Sequence, residues 1–172
     1  TTGKGTVLAA GGPRTIANPI QYPSATNNLT LVLGGENDLT FSGAITLHGN
    51  DGATPTYTSR IFQVDNTGLT KFTGVISDGG FGFGLIKTGN GTLVLDNTEA
   101  YSGPTTVSNG TLVVSGQLAA GAVTVAASGT LGGAGTILGP VTILAGATLA
   151  PGASLGSLTI DNDLTLAGNV AV

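Results

Sequence analysis

The 172-residue chain has no cysteine and a single histidine, His48. The lack of cysteine excludes a disulfide framework, so a secreted form of this protein must be stabilised by packing alone. One histidine cannot form a metal site of the His/Cys kind, and a Ser-His-Asp set would have to use His48. His48 lies beside a polar stretch, and we interpret it as an exposed loop histidine. We therefore expect no catalytic residue, no metal ligand and no cofactor.

Charged residues are also scarce, at 8% of the chain, against about a quarter in ordinary globular proteins. The net charge is −4, and the five basic residues are scattered along the sequence as Lys4, Arg14, Arg60, Lys71 and Lys87. No cluster of them could neutralise a run of phosphates, so we expect no nucleic-acid partner. An anionic membrane surface is disfavoured for the same reason.

Residues 100–160 carry no charge at all, and a hydropathy window could mistake residues 118–150 for a membrane helix. Gly, Thr and Pro recur there every few residues, and the apolar positions alternate with period two, which indicates strands instead. The first residues lack the continuous apolar core of a signal peptide. The 30 glycines follow no G-X-Y period, which excludes collagen, and the abundant Val, Leu, Ile and Thr predict a folded chain.

A repeat provides the main structural signal. Two apolar segments of nearly the same letters, TLVL at 92–95 and TLVV at 111–114, each follow an Asn-Gly pair. Asn-Gly tolerates positive φ and marks a turn. Two ladders of apolar residues continue this period downstream. They are Leu93, Leu112, Leu131, Leu149 and Leu166, at intervals of 19, 19, 18 and 17, and Val107, Val125, Ile143 and Ile160, at intervals of 18, 18 and 17.

Each period contains two or three short strands separated by Gly, Asn or Pro, which is typical of one coil of a β-solenoid. Upstream, Leu39, Phe62 and Leu85 recur at an interval of 23. The sequence therefore predicts an all-β solenoid with coils of about 17–23 residues. One coil cannot bury its own apolar face, and stacking of several coils is required.

We expect residues 1–172 to form a single β-helical unit. Its predicted parts are an irregular first coil at 1–28, longer decorated coils at 29–84 with a polar loop at 48–59, a motif at 85–116, and regular short coils at 117–172. The last residues, 164–172, still read as a strand and not as a cap. Because an uncapped apolar edge invites aggregation, we expect a fragment cut from a longer array.

Carboxylates are the remaining candidates for chemistry, because parallel β-helices also serve as polysaccharide lyases and hydrolases. Paired acids could act as acid and base or bind calcium, but Asp and Asn also cap turns by bonding the backbone, and we favour that role. The local pairs are Glu36/Asp38, Asp96/Glu99 and Asp161/Asp163.

The glycine-rich segment 79–84 is followed by no Lys-Ser/Thr, so it is not a phosphate loop. We expect a hairpin tip or corner. Phe81 and Phe83 within it are either exposed contacts or, as we favour, fillers of the coil end.

Segments 39–43, 72–79, 84–95, 101–107 and 109–112 resemble the passenger-associated transport repeat of bacterial autotransporters. The strict motif covers about 85–116 and looser similarity covers roughly 30–168. Glu99-Ala100 departs from the family, which more often has small polar residues there. The motif residues, all structural in role, are Gly84, Leu85, Lys87, Gly89, Gly91, Leu93, Leu95, Tyr101, Gly103, Thr105, Val107, Gly110 and Leu112.

The resemblance implies a right-handed parallel β-helix in the secreted passenger of a type V system, at the bacterial cell surface. It implies as partners a C-terminal outer-membrane β-barrel, which anchors the full-length protein, and the adjacent coils of that longer chain. The function expected is a non-enzymatic stem that supports secretion and displays distal regions. One alternative is an adhesin or self-associating module that uses the Thr/Asn face or the 48–59 loop. Another is a polysaccharide-active enzyme, which would need clustered acidic and basic residues.

Overall fold

The computed structural model describes residues 2–22, 28–49, 58–152 and 156–171. These ranges contain strands and turns, and no helix in them could cross a membrane. Residues 118–150 lie in strands and turns, as the alternation predicts. The strands are β1 (Thr2–Ala9), β2 (Arg14–Ile16), β3 (Ile20–Gln21), β4 (Asn28–Gly35), β5 (Leu39–Phe41), β6 (Ile45–Thr46), β7 (Ser59–Val64), β8 (Thr70–Phe72), β9 (Ile76–Ser77), β10 (Gly84–Thr88), β11 (Thr92–Leu95), β12 (Thr105–Val114), β13 (Gln117–Leu118), β14 (Val123–Gly133), β15 (Thr136–Ile137), β16 (Val141–Ile143), β17 (Thr148–Pro151), β18 (Thr159–Ile160), β19 (Leu164–Leu166) and β20 (Asn169–Val170).

The strands stack in parallel along three faces of a solenoid. The first face runs β1, β4, β7, β10, then the first halves of β12 and β14, then β16 and β19. The second face runs β2, β5, β8, β11, then the second halves of β12 and β14, then β17 and β20. The third face contains β3, β6 and β9, and later β13, β15 and β18. The prediction of a parallel β-helix is confirmed.

Coil length varies more than the sequence predicts. Leu39 pairs with Thr70, an interval of 31, whereas Thr130 pairs with Thr148, an interval of 18. The longest interval lies well beyond the expected coil length of about 17–23 residues. Residues inserted in a turn lengthen a coil without changing its strand pairing. The longest coil contains the predicted 48–59 loop, of which residues 50–57 lie outside the described ranges.

Most of the predicted ladders are in register. Leu93, Leu112, Leu131 and Leu149 lie over one another, as do Val107, Val125 and Ile143. These parts of the prediction are confirmed.

The prediction is wrong for the last member of each ladder. Leu166 pairs with Ile143 instead of Leu149, and Ile160 pairs with Ile137 instead of Ile143. The longer coil at this point displaces both residues from a constant period.

The predicted alignment of Leu39, Phe62 and Leu85 is also wrong. Phe62 faces Leu31 and Lys87, at intervals of 31 and 25, while Leu85 faces Arg60. The interval of 23 is shorter than both of these steps. A step of 23 residues from Leu39 therefore reaches Phe62, which lies on another face. A second step from Phe62 reaches Leu85, which lies on the same face as Phe62 but is not its partner.

The core is a set of inward columns with period two along each strand. In β7 the side chains of Arg60, Phe62 and Val64 are buried, while those between them are partly exposed. Upstream the interior is aromatic: the Phe72 ring lies 5.0 Å from the Phe41 ring and 5.6 Å from the Phe62 ring, both edge-on. Edge-to-face packing suits the positive edge and negative face of each ring. Downstream the columns are aliphatic.

Asparagines at the turns fasten successive coils. In each case the side-chain amide donates to an acceptor on an earlier coil, at or next to a turn. The bonds are Asn37 to the Ala9 carbonyl (3.1 Å), Asn66 to Asn37 (2.9 Å), Asn97 to Thr73 (2.8 Å), Asn109 to the Asn90 side chain (2.8 Å) and Asn162 to Leu138 (3.2 Å).

Candidate functional site

The motif residues lie on β10, β11 and β12 and the turns that join them. The aliphatic ones all point into the core and are fully buried: Leu85, Leu93, Leu95, Val107 and Leu112. Burying one such side chain contributes about 1.5–3 kcal/mol. They therefore stabilise the stack and leave no apolar motif residue on the surface for a ligand.

The motif glycines allow the turns of adjacent coils to touch. Gly89 and Gly110 have φ of +75° and +66°, in the left-handed region that disfavours other residues. A Cβ on Gly91 would lie 2.6 Å from the Asn66 carbonyl oxygen, and one on Gly110 would lie 2.6 Å from the Gly91 carbonyl oxygen. Both distances are below contact, so a side chain at either position would push two coils apart.

Lys87 occupies a core column between Phe62 and Val107. Its side chain is fully buried, and the ammonium bends to the turn beyond β10. All three of its N–H groups donate to backbone carbonyls: Thr88 at 2.9 Å, Gly89 at 2.8 Å and Asn109 at 3.0 Å. Because Asn109 belongs to the next coil, Lys87 connects the two turns of the motif.

Burial lowers the pKa of Lys87 to about 8, against the opposing attraction of the nearby Asp65 carboxylate. Lys87 therefore stays mainly protonated at neutral pH. Three carbonyl acceptors need three donors, and only the charged ammonium has them.

Glu99 is the second ionisable residue inside this coil. It follows Ile76 and precedes Leu118 in a column of the third face, and it is 2% exposed. Only single bridges, Ser77–Ala100 and Thr98–Gln117, join the coils at this point of the third face. Glu99 Oε2 accepts the Ile76 N–H at 2.6 Å, so a side-chain oxygen occupies the place of a strand carbonyl.

Burial raises the pKa of Glu99 to about 8, although the hydrogen bond from Ile76 acts in the opposite direction. Among the described residues, Glu99 Oε1 is buried without a hydrogen-bond partner. The carboxyl group is therefore mostly protonated at neutral pH. The sequence suggested a turn acid paired with Asp96, but Asp96 lies on the surface, in an ion pair with Lys71 at 2.6 Å.

Asp78 holds the glycine-rich corner. Its carboxylate accepts the Gly80 N–H at 2.9 Å, and the N–H and hydroxyl of Ser102 at 3.1 and 2.7 Å. Burial acts to raise the pKa of Asp78, but these hydrogen bonds outweigh it and lower the pKa below its ordinary value. The two phenylalanines of the corner differ. Phe83 is buried, as predicted for a filler of the coil end, whereas the same prediction is wrong for Phe81, which is 56% exposed.

The Phe81 ring lies 4.8 Å from the ring of His48, which is partly buried. His48 is thus packed on the corner and is not a fully exposed loop residue. Its Nδ1 lies 2.9 Å from the Gly49 carbonyl oxygen.

Arg60 stands in the core of the preceding coil. Its guanidinium lies between the rings of Tyr22 and Phe83, at 5.0 and 4.6 Å from their centres, and its Nε donates to the Leu47 carbonyl at 2.7 Å. Two aromatic faces stabilise the desolvated cation. Burial raises the pKa of Tyr22, against the opposing effect of Arg60.

Tyr101 and Thr105 complete the polar interior. Their hydroxyls are 2.6 Å apart and both side chains are buried. Burial raises the pKa of Tyr101 above its ordinary range. The pair ties the end of one coil to the start of the next.

The other acids in the described ranges lie on the surface. Asp38 accepts the Leu69 N–H at 2.9 Å, which is the turn-capping role, and Asp161 and Asp163 are exposed. The part of the chain that the structure describes contains no group of three His, Cys, Asp or Glu able to hold a metal ion. What this arrangement does is join coils through buried charged and polar groups.

Sequence reasoning missed the interior positions of Arg60, Asp78 and Glu99. A signal existed for Glu99, which stands at an interval of 23 from Ile76 and of 19 from Leu118, and both are intervals of one coil. For Arg60 and Asp78 the irregular upstream coil lengths hide the register.

The family model of the Passenger-associated-transport-repeat matches residues 85–114. The prediction of this repeat, made over about 85–116, is confirmed. Comparison with curated proteins and with solved structures gives no match. The chain therefore contains an autotransporter passenger-associated repeat region, of a structural family that implies a secreted or cell-surface protein.

Proposed function

We propose that this chain is part of the non-enzymatic stem of an autotransporter passenger, which supports secretion across the outer membrane and displays distal regions. The proposal rests on where the buried polar groups of segment 85–114 point. The Lys87 ammonium and the Glu99 carboxyl are buried, and each bonds the backbone of a neighbouring coil. Side chains of a catalytic or binding site would face an accessible cleft, whereas these two set the register between coils.

The role in secretion rests on how a solenoid assembles. Each coil buries its apolar face only when a neighbour is in place, so folding outside the cell, coil by coil, would oppose backsliding of the chain. The proposed partners are the outer-membrane β-barrel and the adjacent coils of a longer chain. The apolar coils beyond β12 would extend the stack that the repeat begins.

A deletion of one whole coil tests this role. Leu85 and Thr105 are register equivalents, so removal of residues 85–104 takes out one coil and joins matching strands. Val123 and Val141 are equivalents too, so removal of 123–140 is a matched control without the repeat. In the full-length protein, the first deletion should reduce surface-exposed passenger much more than the second. Equal export of the two deletion variants would contradict a special role for the repeat.

A surface-binding function is the second candidate, and the exposed Phe81 favours it. The Asp78 hydrogen bonds fix the corner that presents this ring beside His48. Rigid presentation of an aromatic side chain lowers the entropy cost of binding. Phe81→Ser should then abolish binding of the chain to cells or to itself while secretion stays normal. Unchanged adhesion and aggregation would remove this candidate.

A further inference from the structure

The two Asn-Gly pairs of the repeat have different backbone surroundings. At the first pair, the Gly91 N–H donates to the Val64 carbonyl of the preceding coil at 2.8 Å. At the second pair, the Gly110 N–H donates to Oδ1 of Asn109 at 2.9 Å. The Gly110 nitrogen is thus placed next to the side-chain amide carbon of the residue before it. Asn-Gly is the dipeptide in which this nitrogen is least hindered, because glycine has no Cβ.

Lys87 adds an electrostatic element at the second pair alone. Its ammonium donates to the main-chain carbonyl of Asn109 at 3.0 Å. That carbonyl and the Gly110 nitrogen belong to one conjugated peptide group. When the nitrogen loses its proton, the negative charge spreads to the oxygen, where a fixed ammonium stabilises it as an oxyanion hole would. Neither of the other two acceptors of Lys87 belongs to the Asn90-Gly91 peptide.

We propose that Asn109 is a site of spontaneous intramolecular deamidation, activated by Lys87, and that the fold protects Asn90. The Gly110 nitrogen gives its proton to water and attacks Cγ of Asn109. The new C–N bond closes a five-membered succinimide ring, the Cγ–Nδ2 bond breaks, and ammonia leaves after taking a proton from water. A second water then opens the ring at either carbonyl, giving aspartate or isoaspartate. Asn109 and Gly110 are only partly buried, so water reaches them.

The product changes a contact between coils. Asn109 Nδ2 donates to Asn90 Oδ1 at 2.8 Å, and a carboxylate at this position has no proton to donate. Two acceptors would then face each other where one bond joined two coils of the repeat. The difference between the two sites depends only on the folded turns and not on the role in secretion proposed above.

The test compares the two asparagines within one molecule. The chain is incubated at pH 7, where Lys87 is mainly protonated, both folded and in guanidinium chloride. The two Asn-Gly peptides are followed by mass spectrometry and by an isoaspartate methyltransferase assay. In the denatured chain the two Asn-Gly pairs should convert at similar rates. In the folded chain Asn109 should convert at least about tenfold faster than Asn90, because the attack on Asn90 first requires local opening of the Gly91 hydrogen bond. Equal rates in the folded chain, faster conversion of Asn90, or no conversion of Asn109 would overturn the proposal.

Substitution of Lys87 tests the activation. Lys87→Gln should slow conversion of Asn109 by about tenfold, the effect of one charge-assisted hydrogen bond on a rate, and Lys87→Arg should restore much of it. Lys71→Gln, at a partly exposed lysine on β8, is the control and should change neither rate. An unchanged Asn109 rate in Lys87→Gln, with Asn90 still protected, would show that Lys87 has no such role. Should Lys87→Gln unfold, Asn90 will convert as well, and the ranking in the wild-type chain then decides.

Discussion

The coil of residues 84–103 and the coil of residues 123–140 share one backbone plan but differ inside. The first contains Lys87 and Glu99 in its core columns, whereas the second has Val125, Leu131 and Ile137 at comparable inward positions. Both coils share backbone pairing with their neighbours, but the inward side chains of the apolar coil contribute burial, which has no direction. The polar coil adds hydrogen bonds that can be made in one register only. The comparison indicates that the repeat contributes specificity of stacking more than strength.

The difference between the two coils should have its largest effect on the pH dependence of the unfolding free energy. Glu99 has a pKa of about 8 in the folded chain against an ordinary 4.5, so the folded state keeps a proton that the unfolded state has released between these values. The stabilisation from this proton is complete below about pH 4.5 and is lost as the pH rises to 8. Chemical denaturation should show a loss of about 3–4 kcal/mol between pH 5 and 8.

Lys87 should produce the opposite slope at higher pH. Its pKa falls from 10.5 to about 8 on folding, so between these values the unfolded state binds the extra proton and stability rises with pH. Stability should therefore be lowest near pH 8. Glu99→Gln should remove the acidic limb and leave the alkaline one. A flat profile between pH 5 and 8 in the wild-type chain would contradict the assignment of Glu99 as a buried acid.

The next largest effect on stability is expected when the buried charge of the polar coil is replaced by an apolar side chain. Lys87→Met keeps the length of the side chain and its burial but removes three donors from backbone carbonyls. We expect a loss of about 2–3 kcal/mol at pH 6, because unsatisfied buried acceptors outweigh the removal of a buried charge. Val125→Met, in the equivalent column of an apolar coil, is the control for size. If Lys87→Met were at least as stable as the wild-type chain, the repeat would gain nothing from its polar interior.

A smaller effect is expected at the joint between coils. Tyr101→Phe removes the hydroxyl that lies 2.6 Å from Thr105 Oγ1 and leaves the ring in place. One net hydrogen bond is worth about 1 kcal/mol, so the urea midpoint should fall slightly with an unchanged slope. The double substitution Tyr101→Phe and Thr105→Val should recover part of the loss, since both partners are then apolar. Additive losses would show that the two hydroxyls are not coupled.

The smallest effect should come from the surface of the same coils. Lys71 and Asp96 form an ion pair at 2.6 Å, with about a third of each side chain exposed (36% and 34%). Exposed pairs contribute roughly 0.2–1 kcal/mol and are screened by salt. Lys71→Ala should therefore lower the unfolding free energy by less than about 1 kcal/mol, and high salt should remove the difference. If Lys71→Ala lowered the unfolding free energy as much as Lys87→Met does, interior and surface charges would not differ in their contribution to stability.

The parallel β-helix and the register of Leu93, Leu112, Leu131 and Leu149 could be predicted from the sequence, because turns of constant length make the spatial repeat visible as a sequence repeat. The prediction is wrong where a turn lengthens, as at Leu166, since one insertion displaces every residue after it. Lys87 is identified through the motif, but its three carbonyl partners depend on how two turns meet. The interior position of Glu99 was not predicted, because a pair of nearby acids such as Asp96 and Glu99 is typical of a turn cap. Only the strand pairing places Glu99 in the buried column between Ile76 and Leu118.

The asparagine bonds between turns also give the solenoid a polarity. In all five, the amide belongs to the later coil and the acceptor to the earlier one. Truncation by whole coils from the carboxyl side removes each donor together with its bond, and the coils that remain keep theirs. Truncation from the amino side instead leaves the side-chain amide of the first retained coil without its acceptor. Progressive shortening should therefore be tolerated better from one end than from the other, although the two shortened stacks would hold equal numbers of coils.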